Sequence, residues 1–218
     1  IASISKRPDL SMIKNVLEEH GDEIISACDS IVVEIDMEVE LLKEIFRLAE
    51  KYDKKIYAVV SNMSIAMKRR DLITKVDCLV CNQQEAGLLF SEEYDDLTHE
   101  EMYSLLETRI DNAQIRKMVV TMGEGGAVYA EEHGEAGYIP PQKVDVIDTT
   151  GAGDSFFAGV AAGLTYGKTL EEACIIGTRL ASSVISTKEN VCPRFLPEET
   201  PWYLRLKIHT PYWPYFLP

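Results

Sequence analysis

The sequence predicts an α/β fold in which a mainly parallel sheet lies between two layers of helices. Two observations favour this fold. Short runs of β-branched residues alternate with longer amphipathic runs along most of the chain, which is the pattern of repeated strand–helix units. The chain has 218 residues, of which 46% are hydrophobic, so it is long enough to bury one sizeable core. One main domain is therefore expected.

Four runs of apolar residues predict strands, and a run with helical spacing follows each of the first three. The first pair covers residues 31–35 and 39–52, and Leu41, Leu42 and Ile45 recur there at helical intervals. The other predicted strands are 55–60, 76–81 and 117–121, and the helices that separate them are 64–72, 83–89 and 99–110. Repeats of this kind predict parallel strands that are joined by right-handed crossovers.

The alternation of strands and helices stops after Thr121. Residues 123–126 are rich in glycine and lead into short apolar runs at 127–130 and 138–139, with turn residues between them. This pattern predicts an antiparallel hairpin or meander. A dinucleotide-binding glycine loop must open a helix, whereas this loop opens a strand, so an NAD-type site is not expected.

Residues 148–156 read DTTGAGDSF and directly precede another helical run. Gly151 and Gly153 permit a sharp turn and let backbone N–H groups approach a ligand. A helix N-terminus favours an anion, because its first N–H groups are unpaired and its dipole is positive there. A carboxylate at Asp154, beside that anion, is suited to take a proton from an attacking hydroxyl in phosphoryl transfer. The simple alternative is a tight turn followed by an N-capping aspartate.

The tetrapeptide 82–85 follows the third predicted strand, at the edge where open parallel sheets bind ligands. Asn82 and Glu85 are three residues apart and therefore share one face of a helix start. The local alternative is that Asn82 caps the helix and Glu85 is its capping-box partner. A final helix is predicted from Leu170 to about Ser186, and its small residues favour close packing.

Taken together, these motifs resemble the PfkB (ribokinase-like) family of carbohydrate and nucleoside kinases. The family signature D-T-x-G-A-G-D matches residues 148–154, and its N-x-x-E and T-x-G-x-x-G motifs match 82–85 and 121–126 in the same order. The resemblance covers about residues 3–197 and implies a three-layer α/β/α ribokinase-like fold. It also implies that the chain is truncated at the N-terminus, where family members carry their first strands, a sugar-contacting glycine pair and a lid.

The resemblance implies a role for each motif residue. The catalytic group comprises the general base Asp154 and the backbone amides of Gly151, Ala152 and Gly153. The nucleotide phosphates are approached by Thr121, Gly123, Gly126 and Asn82, although an ordinary hairpin turn also explains these glycines. Metal ions are organised by Glu85 (Mg²⁺) and by Asp148 and Thr150, which with carbonyls from about 187–193 hold a monovalent cation such as K⁺.

The activity implied is transfer of the γ-phosphate of ATP to a primary hydroxyl of a sugar or nucleoside. Segments 31–37, 59–67 and 134–140 are most similar to pseudouridine-kinase-like members, so the 5′-hydroxyl of pseudouridine is the first expectation. Two alternatives stay open: a ribose- or fructose-type sugar kinase, and a non-catalytic nucleotide-binding fragment or partner subunit. A homodimer is an expected assembly.

The composition limits the classes of partner that the protein is expected to bind and the compartment in which it is expected to work. The formal net charge is −14, with 36 acidic and 22 basic residues, which disfavours nucleic acid and anionic membranes. No apolar run approaches a membrane span, and residues 1–7 do not form a signal peptide. Five scattered cysteines indicate reduced thiols in the cytoplasm, and the C-x-x-C at 78–81 has no second pair, which predicts structural cysteines.

The chain divides at about residue 199. Residues 1–199 are expected to form the major, C-terminal part of a ribokinase-like kinase domain. Residues 200–218 contain no acid, both tryptophans and four prolines, a composition that cannot continue a helix. We therefore expect an atypical aromatic and proline-rich tail.

Overall fold

A computed structural model describes residues 10–62, 66–188 and 191. In this part of the chain six strands form one sheet in the order β1-β2-β3-β4-β5-β6. The strands are β1 (Ser30–Glu34), β2 (Lys55–Val59), β3 (Cys78–Asn82), β4 (Lys117–Thr121), β5 (Ala127–Glu131) and β6 (Ala136–Ile139). Neighbours from β1 to β4 are parallel, whereas β4, β5 and β6 are antiparallel. The predicted mainly parallel sheet with a terminal meander is confirmed.

Helices separate the parallel strands as the alternation predicts. The helices are α1 (Ser11–Ala27), α2 (Val39–Lys51), α3 (Arg70–Ile73), α4 (Gln83–Phe90), α5 (His99–Ala113), α6 (Ala152–Thr165) and α7 (Leu170–Ile185), with 3₁₀ turns at Met67–Arg69 and Gly123–Gly125. The helix predicted at 64–72 begins in residues outside the described part, and its remainder is divided between a 3₁₀ turn and α3. No helix in the described ranges is both long and apolar enough to cross a membrane.

Helix α1 was not predicted from the sequence. Its buried residues are Leu17, Gly21 and Ile25, so only about one residue per turn faces the core. Met12 and Ile24 are large apolar residues on its exposed surface. Polar residues fill most of the remaining positions, and the helical periodicity is correspondingly weak.

The two faces of the sheet have separate cores. On one face, alternate strand residues such as Val33, Leu79 and Met118 pack in a core that includes buried residues of α1, α2, α4 and α5. On the other face, Tyr57 and Val119 pack with α6 and α7. Helices on both faces explain why the central strands are almost continuously hydrophobic.

The direction of α6 determines which edge of the sheet its N-terminus reaches. Thr165, the last residue of α6, hydrogen-bonds through its hydroxyl to that of Ser30, the first residue of β1, over 2.6 Å. A helix of 14 residues is about 21 Å long. Because its C-terminus lies at the amino end of β1, its N-terminus extends towards the carboxyl ends of the parallel strands.

Glycines allow α6 and α7 to touch backbone to backbone. A Cβ atom at Gly159 would lie 2.6 Å from Cα of Gly177, and one at Gly177 would lie 2.6 Å from the carbonyl oxygen of Phe156. Both distances are far below van der Waals contact, and the obstructing atoms are backbone atoms that cannot rotate away. The small residues of the last helix therefore serve helix–helix packing.

We expect Gly177→Ala to lower the free energy of unfolding by about 1–3 kcal/mol, because the added methyl must separate two packed helices. The measurement is urea denaturation followed by circular dichroism. Gly153→Ala is the matched control: nothing lies within 4 Å of the position that its methyl group would take, and alanine is the better helix former. Equal stability of Gly177→Ala and the wild type would show that the helix contact is not tight.

Candidate active site

The carboxyl ends of β3 and β4 bring two predicted site residues together. Asn82 ends β3 and Thr121 ends β4, and the two are register partners in the sheet. The Thr121 hydroxyl donates a hydrogen bond to the carbonyl oxygen of Cys81 over 3.4 Å. Both polar side chains therefore belong to the edge at which open parallel sheets bind ligands.

Asn82 and Glu85 form a reciprocal capping box at the start of α4. Asn82 Oδ1 accepts from the Glu85 N–H over 2.8 Å, and Glu85 Oε2 accepts from the Asn82 N–H over 2.8 Å. The local alternative foreseen from the sequence is thus the observed geometry. The box also turns the Glu85 carboxylate back towards the sheet edge, and burial there raises the pKa of Glu85.

A second carboxylate, Asp36, lies at the same edge and was not predicted from the sequence. It follows β1 and is only 5% exposed. Its two carboxylate oxygens accept from the hydroxyl of Ser61, just beyond β2, over 3.1 and 3.2 Å. Its negative charge adds to the burial that raises the pKa of Glu85. In the sequence Asp36 stands between two other acids, Glu34 and Glu38, and it belongs to none of the three family motifs.

Arg69 holds the loop that carries Asp36. Its Nη1 donates to the carbonyl oxygens of Ile35, over 3.0 Å, and of Met37. These carbonyls flank Asp36 on both sides. The guanidinium thereby fixes the backbone of the loop while the Ser61 hydroxyl fixes the carboxylate.

Two glycines between β4 and β5 differ in the space that surrounds them. Gly123 (φ +56°) and Gly126 (φ +86°) adopt backbone angles that favour glycine. A Cβ at Gly126 would lie 2.3 Å from the carbonyl oxygen of Ile139, so the turn needs glycine there for packing. At Gly123 nothing lies within 4 Å of a Cβ position, which leaves space for a ligand two residues beyond Thr121.

The turn into α6 exposes backbone donors. Gly151 is the N-cap residue with φ +81° and ψ 0°, and no side chain caps the helix. The Ala152 N–H donates to the carbonyl oxygen of Thr149 over 3.2 Å, so this amide is used within the turn and differs from the sequence expectation of three free amides. The N–H groups of Gly153 and Asp154 have no acceptor among the described residues, and they lie in the first turn of the helix.

Asp154 combines exposure with the positive end of the helix dipole. It is exposed and lies in the first turn of α6. Its carboxylate forms no hydrogen bond or ion pair with any residue in the described part of the chain. An acid held in this way is free to accept a proton from a bound alcohol.

Asp148 and Thr150 shape the approach to that turn. Asp148 Oδ1 accepts from the Thr150 N–H (2.9 Å) and hydroxyl (2.8 Å), and these bonds, the backbone one first, lower the pKa of Asp148. The N–H groups of Ile147 and Asp148 donate to the carbonyl oxygen of Ile185 over 2.7 and 3.3 Å, which ties the segment to the end of α7. Of the 187–193 segment expected to complete a cation site, residues 189–190 and 192–193 lie outside the described residues.

The described residues can hold a magnesium ion only if phosphate oxygens supply some of its ligands. Within the described ranges, no group of three or more His, Cys, Asp or Glu side chains is arranged to hold a metal. Asn82 and Glu85 offer one amide and one carboxylate at the sheet edge. Mg²⁺ commonly keeps several waters and takes few protein carboxylates when it binds with a nucleotide, so this donor set is sufficient for a Mg²⁺–nucleotide complex.

The cysteines of the C-x-x-C pair are buried inside β3. Burial raises the pKa of Cys78 to about 12 and that of Cys81 well above its usual range. Thiols that resist ionisation in this way are poor metal ligands. Cys28, Cys78, Cys81 and Cys174 are free thiols.

Comparisons with known proteins show which family the chain matches. Residues 7–193 match the pfkB family carbohydrate kinase. Guanosine-inosine kinase of Exiguobacterium acetylicum is 31% identical over 193 residues, which are 86% of this chain and 61% of that protein. Ribokinase of Schizosaccharomyces pombe is 23% identical over 168 residues, 77% of this chain and 52% of that protein.

Solved structures share the fold. A probable sugar kinase of Rhizobium etli superposes with a TM-score of 0.70 at 25% identity, over 87% of this chain and 58% of that one. The structure of Arabidopsis thaliana ribokinase complexed with ribose and ATP superposes with a TM-score of 0.69 at 21% identity, over 78% of this chain and 54% of that one. The chain thus spans between 52% and 61% of the length of these four relatives. It belongs to the pfkB family of carbohydrate kinases.

Proposed function

We propose that the protein transfers the γ-phosphoryl group of ATP to a primary hydroxyl of a nucleoside or sugar. The observation that carries this proposal is the N-terminus of α6, where Gly151 turns the backbone and no side chain caps the helix. Free amides beside an unpaired carboxylate provide the two groups that the reaction needs: donors for a developing negative charge and an acceptor for a proton.

In the proposed reaction Asp154 orients the hydroxyl and accepts its proton. The hydroxyl oxygen forms a bond to the γ-phosphorus while the bond between that phosphorus and the bridging oxygen breaks, which gives ADP and a phosphate monoester. The transition state is loose, so proton transfer is late. The N–H of Gly153, with the turn formed by Gly151 and Ala152, stabilises the charge on the transferred group together with the helix dipole.

We assign the nucleotide phosphates to the edge formed by Asn82, Thr121 and Gly123, with Gly126 closing the turn beside them. Glu85 and Asn82 would hold Mg²⁺ through water, and the ion would neutralise phosphate charge when bound. We assign K⁺ or a similar monovalent cation to the turn shaped by Asp148 and Thr150, whose oxygens are hard ligands. The lowered pKa of Asp148 keeps its carboxylate ionised for this purpose.

A nucleoside is the substrate class that we favour. The guanosine-inosine kinase matches 86% of this chain at 31% identity, whereas the S. pombe ribokinase matches 77% at 23%. We keep the 5′-hydroxyl of pseudouridine as the first candidate, with inosine and guanosine as the nearest rivals and ribose or fructose after them. A non-catalytic nucleotide-binding subunit is the alternative from another class, because the chain covers 61% of that kinase.

We also infer that the protein works in the cytoplasm. Cys28, Cys78, Cys81 and Cys174 carry free thiols, which suits a reducing compartment.

A substrate panel tests the proposed function. ATP-dependent phosphorylation of pseudouridine, inosine, guanosine, ribose and fructose should be measured by ADP release, for this chain and for the complete gene product. We expect a nucleoside to give the highest kcat/KM, with mass spectrometry placing phosphate on the primary hydroxyl. A free sugar preferred by tenfold would overturn the substrate class. ATP binding without transfer in the complete product would favour the partner-subunit alternative.

Asp154→Asn should lower kcat by about 10²- to 10⁴-fold, because the base is lost, and should leave the affinity for ATP almost unchanged. Steady-state kinetics and isothermal titration with ATP separate the two effects. Asp145→Asn, an exposed acid of the same loop, is the control and should retain full turnover. Unchanged kcat in Asp154→Asn would refute the assignment of the base.

Glu85→Gln should be more stable than the wild type at neutral pH, and its advantage should vanish below pH 4.5. The folded-state pKa of Glu85 is raised above 4.5, so folding favours the protonated acid and the fold weakens as pH rises through that pKa. Glutamine retains the acceptor of the capping box. Urea denaturation over a pH series measures this, and Mg²⁺-dependent turnover of the variant should fall.

Glu101→Gln is the matched control, and we expect it to change the stability of the fold in the opposite direction. Glu101 occupies the same capping-box position on α5, but hydrogen bonds from Thr98 lower its pKa below 4.5. Its carboxylate therefore stabilises the fold above pH 4.5, and this contribution is lost as pH falls through the lowered pKa. Glu101→Gln should be less stable than the wild type at neutral pH. A Glu85→Gln variant that is also destabilised there would contradict our account of Glu85.

A further inference from the structure

A cavity of about 310 Å³ lies at the edge of the sheet opposite the candidate active site. Its walls come from α3, from the C-terminal parts of α4 and α5 and from the loop before β4. The lining residues are Arg70, Ile73, Thr74, Leu89, Phe90, Arg109, Asn112, Ala113 and Ile115. Because β3 and β4 are five-residue strands with a rise of about 3.3 Å per residue, the two edges are roughly 15 Å apart.

The residues that line this cavity include two arginines, although the chain as a whole is acidic. The formal net charge is −14, yet the lining has two arginines and no acid. Arg70 uses Nη2 to donate to the carbonyl oxygen of Leu89 over 3.0 Å, and Arg109 uses Nη2 to pair with Glu92. A guanidinium has five N–H donors, so each arginine has donors beyond these bonds.

One of those donors is buried without a partner. Nε of Arg109 is shielded from solvent and donates to no acceptor among the described residues. Nε and Nη1 of Arg70 likewise form no hydrogen bond within the described part of the chain. A shielded N–H without an acceptor costs free energy, and an anion that moved the Arg109 guanidinium slightly would supply the acceptor.

The remaining walls are mainly apolar. Ile73, Leu89 and Ile115 are buried, and Phe90 and Ala113 are half-buried. An engineered apolar cavity of about 150 Å³ binds benzene, so this cavity has room for one aromatic ring together with an acidic group. Apolar walls with a few convergent donors are the usual lining of a small-molecule site.

We propose that this cavity binds a small organic anion, a carboxylate or phosphate monoester on an apolar ring. The ring lies among Ile73, Leu89 and Phe90, and the acidic group accepts from the guanidinium groups of Arg70 and Arg109. The site is separate from the candidate active site and does not depend on the kinase assignment, because every residue that it uses lies outside the edge formed by Asn82 and Thr121.

Binding is tested with four probes on the ¹⁵N-labelled chain: benzoate, phenyl phosphate, benzyl alcohol and inorganic phosphate. We expect saturable chemical-shift changes at the amides of Asn112, Ala113 and Ile115 with benzoate, phenyl phosphate or both, which identifies the acidic group. Neutral benzyl alcohol and ring-free phosphate should each bind at least about tenfold more weakly. Changes confined to 121–126 and 151–154, or no saturation by about 10 mM, would overturn the proposal.

Three variants assign the binding to these side chains. Arg70→Gln and Arg109→Gln should each weaken anion binding about tenfold or more. Ala113→Leu fills the cavity, leaves both guanidinium groups in place, and should abolish binding even if an arginine variant folds poorly. Arg47→Gln removes an exposed arginine paired with Glu44 and should change nothing. Wild-type affinity in Ala113→Leu or in Arg109→Gln would overturn the proposal.

Discussion

The contact between α6 and α7 is the constraint on which the geometry of the site depends. Gly159 and Gly177 let the two helices approach until their backbones touch, and the bond between the hydroxyls of Thr165 and Ser30 fixes the far end of α6 at the start of β1. Because these contacts fix the packing and the C-terminus of α6, they also determine the direction in which the helix runs. Its N-terminus, with Gly151 and Asp154, then lies towards the carboxyl ends of the parallel strands, where Asn82 and Thr121 already stand.

The acidic composition of the chain explains why the site is built from backbone. Under the proposed function, a triphosphate binds to a protein whose formal net charge is −14, so long-range electrostatics oppose its approach. Positive potential is then needed within a few ångströms of the phosphates. In this proposal the free amides of the first turn of α6 and the helix dipole supply it. The conformations of Gly151 and Gly123, both at positive φ, are the local requirements for this arrangement.

Most of the sheet could be predicted because its central strands are buried on both faces and therefore read as continuous apolar runs. Helix α1 could not, since its core contact is about one residue per turn. Motif residues such as Asn82 and Thr121 were identified by resemblance to family motifs, but their adjacency depends on strand register. Asp36 was missed because its partner Ser61 lies at the end of another strand. The cavity between Arg70 and Arg109 escaped prediction for the same reason: its residues meet only in the folded chain.

The two carboxylates at the sheet edge link stability to binding. Asp36 is buried and Glu85 is half-buried. Burial, to which the charge of Asp36 adds, raises the pKa of Glu85, so the ionised form of Glu85 destabilises the fold. Arg69 donates to the carbonyl oxygens of Ile35 and Met37 and thereby holds the loop that carries Asp36. Under the proposed function, a cation held by Glu85 would favour its charged carboxylate, so binding would recover free energy that burial of this group takes from folding. Proteins commonly retain such destabilising groups where function requires them.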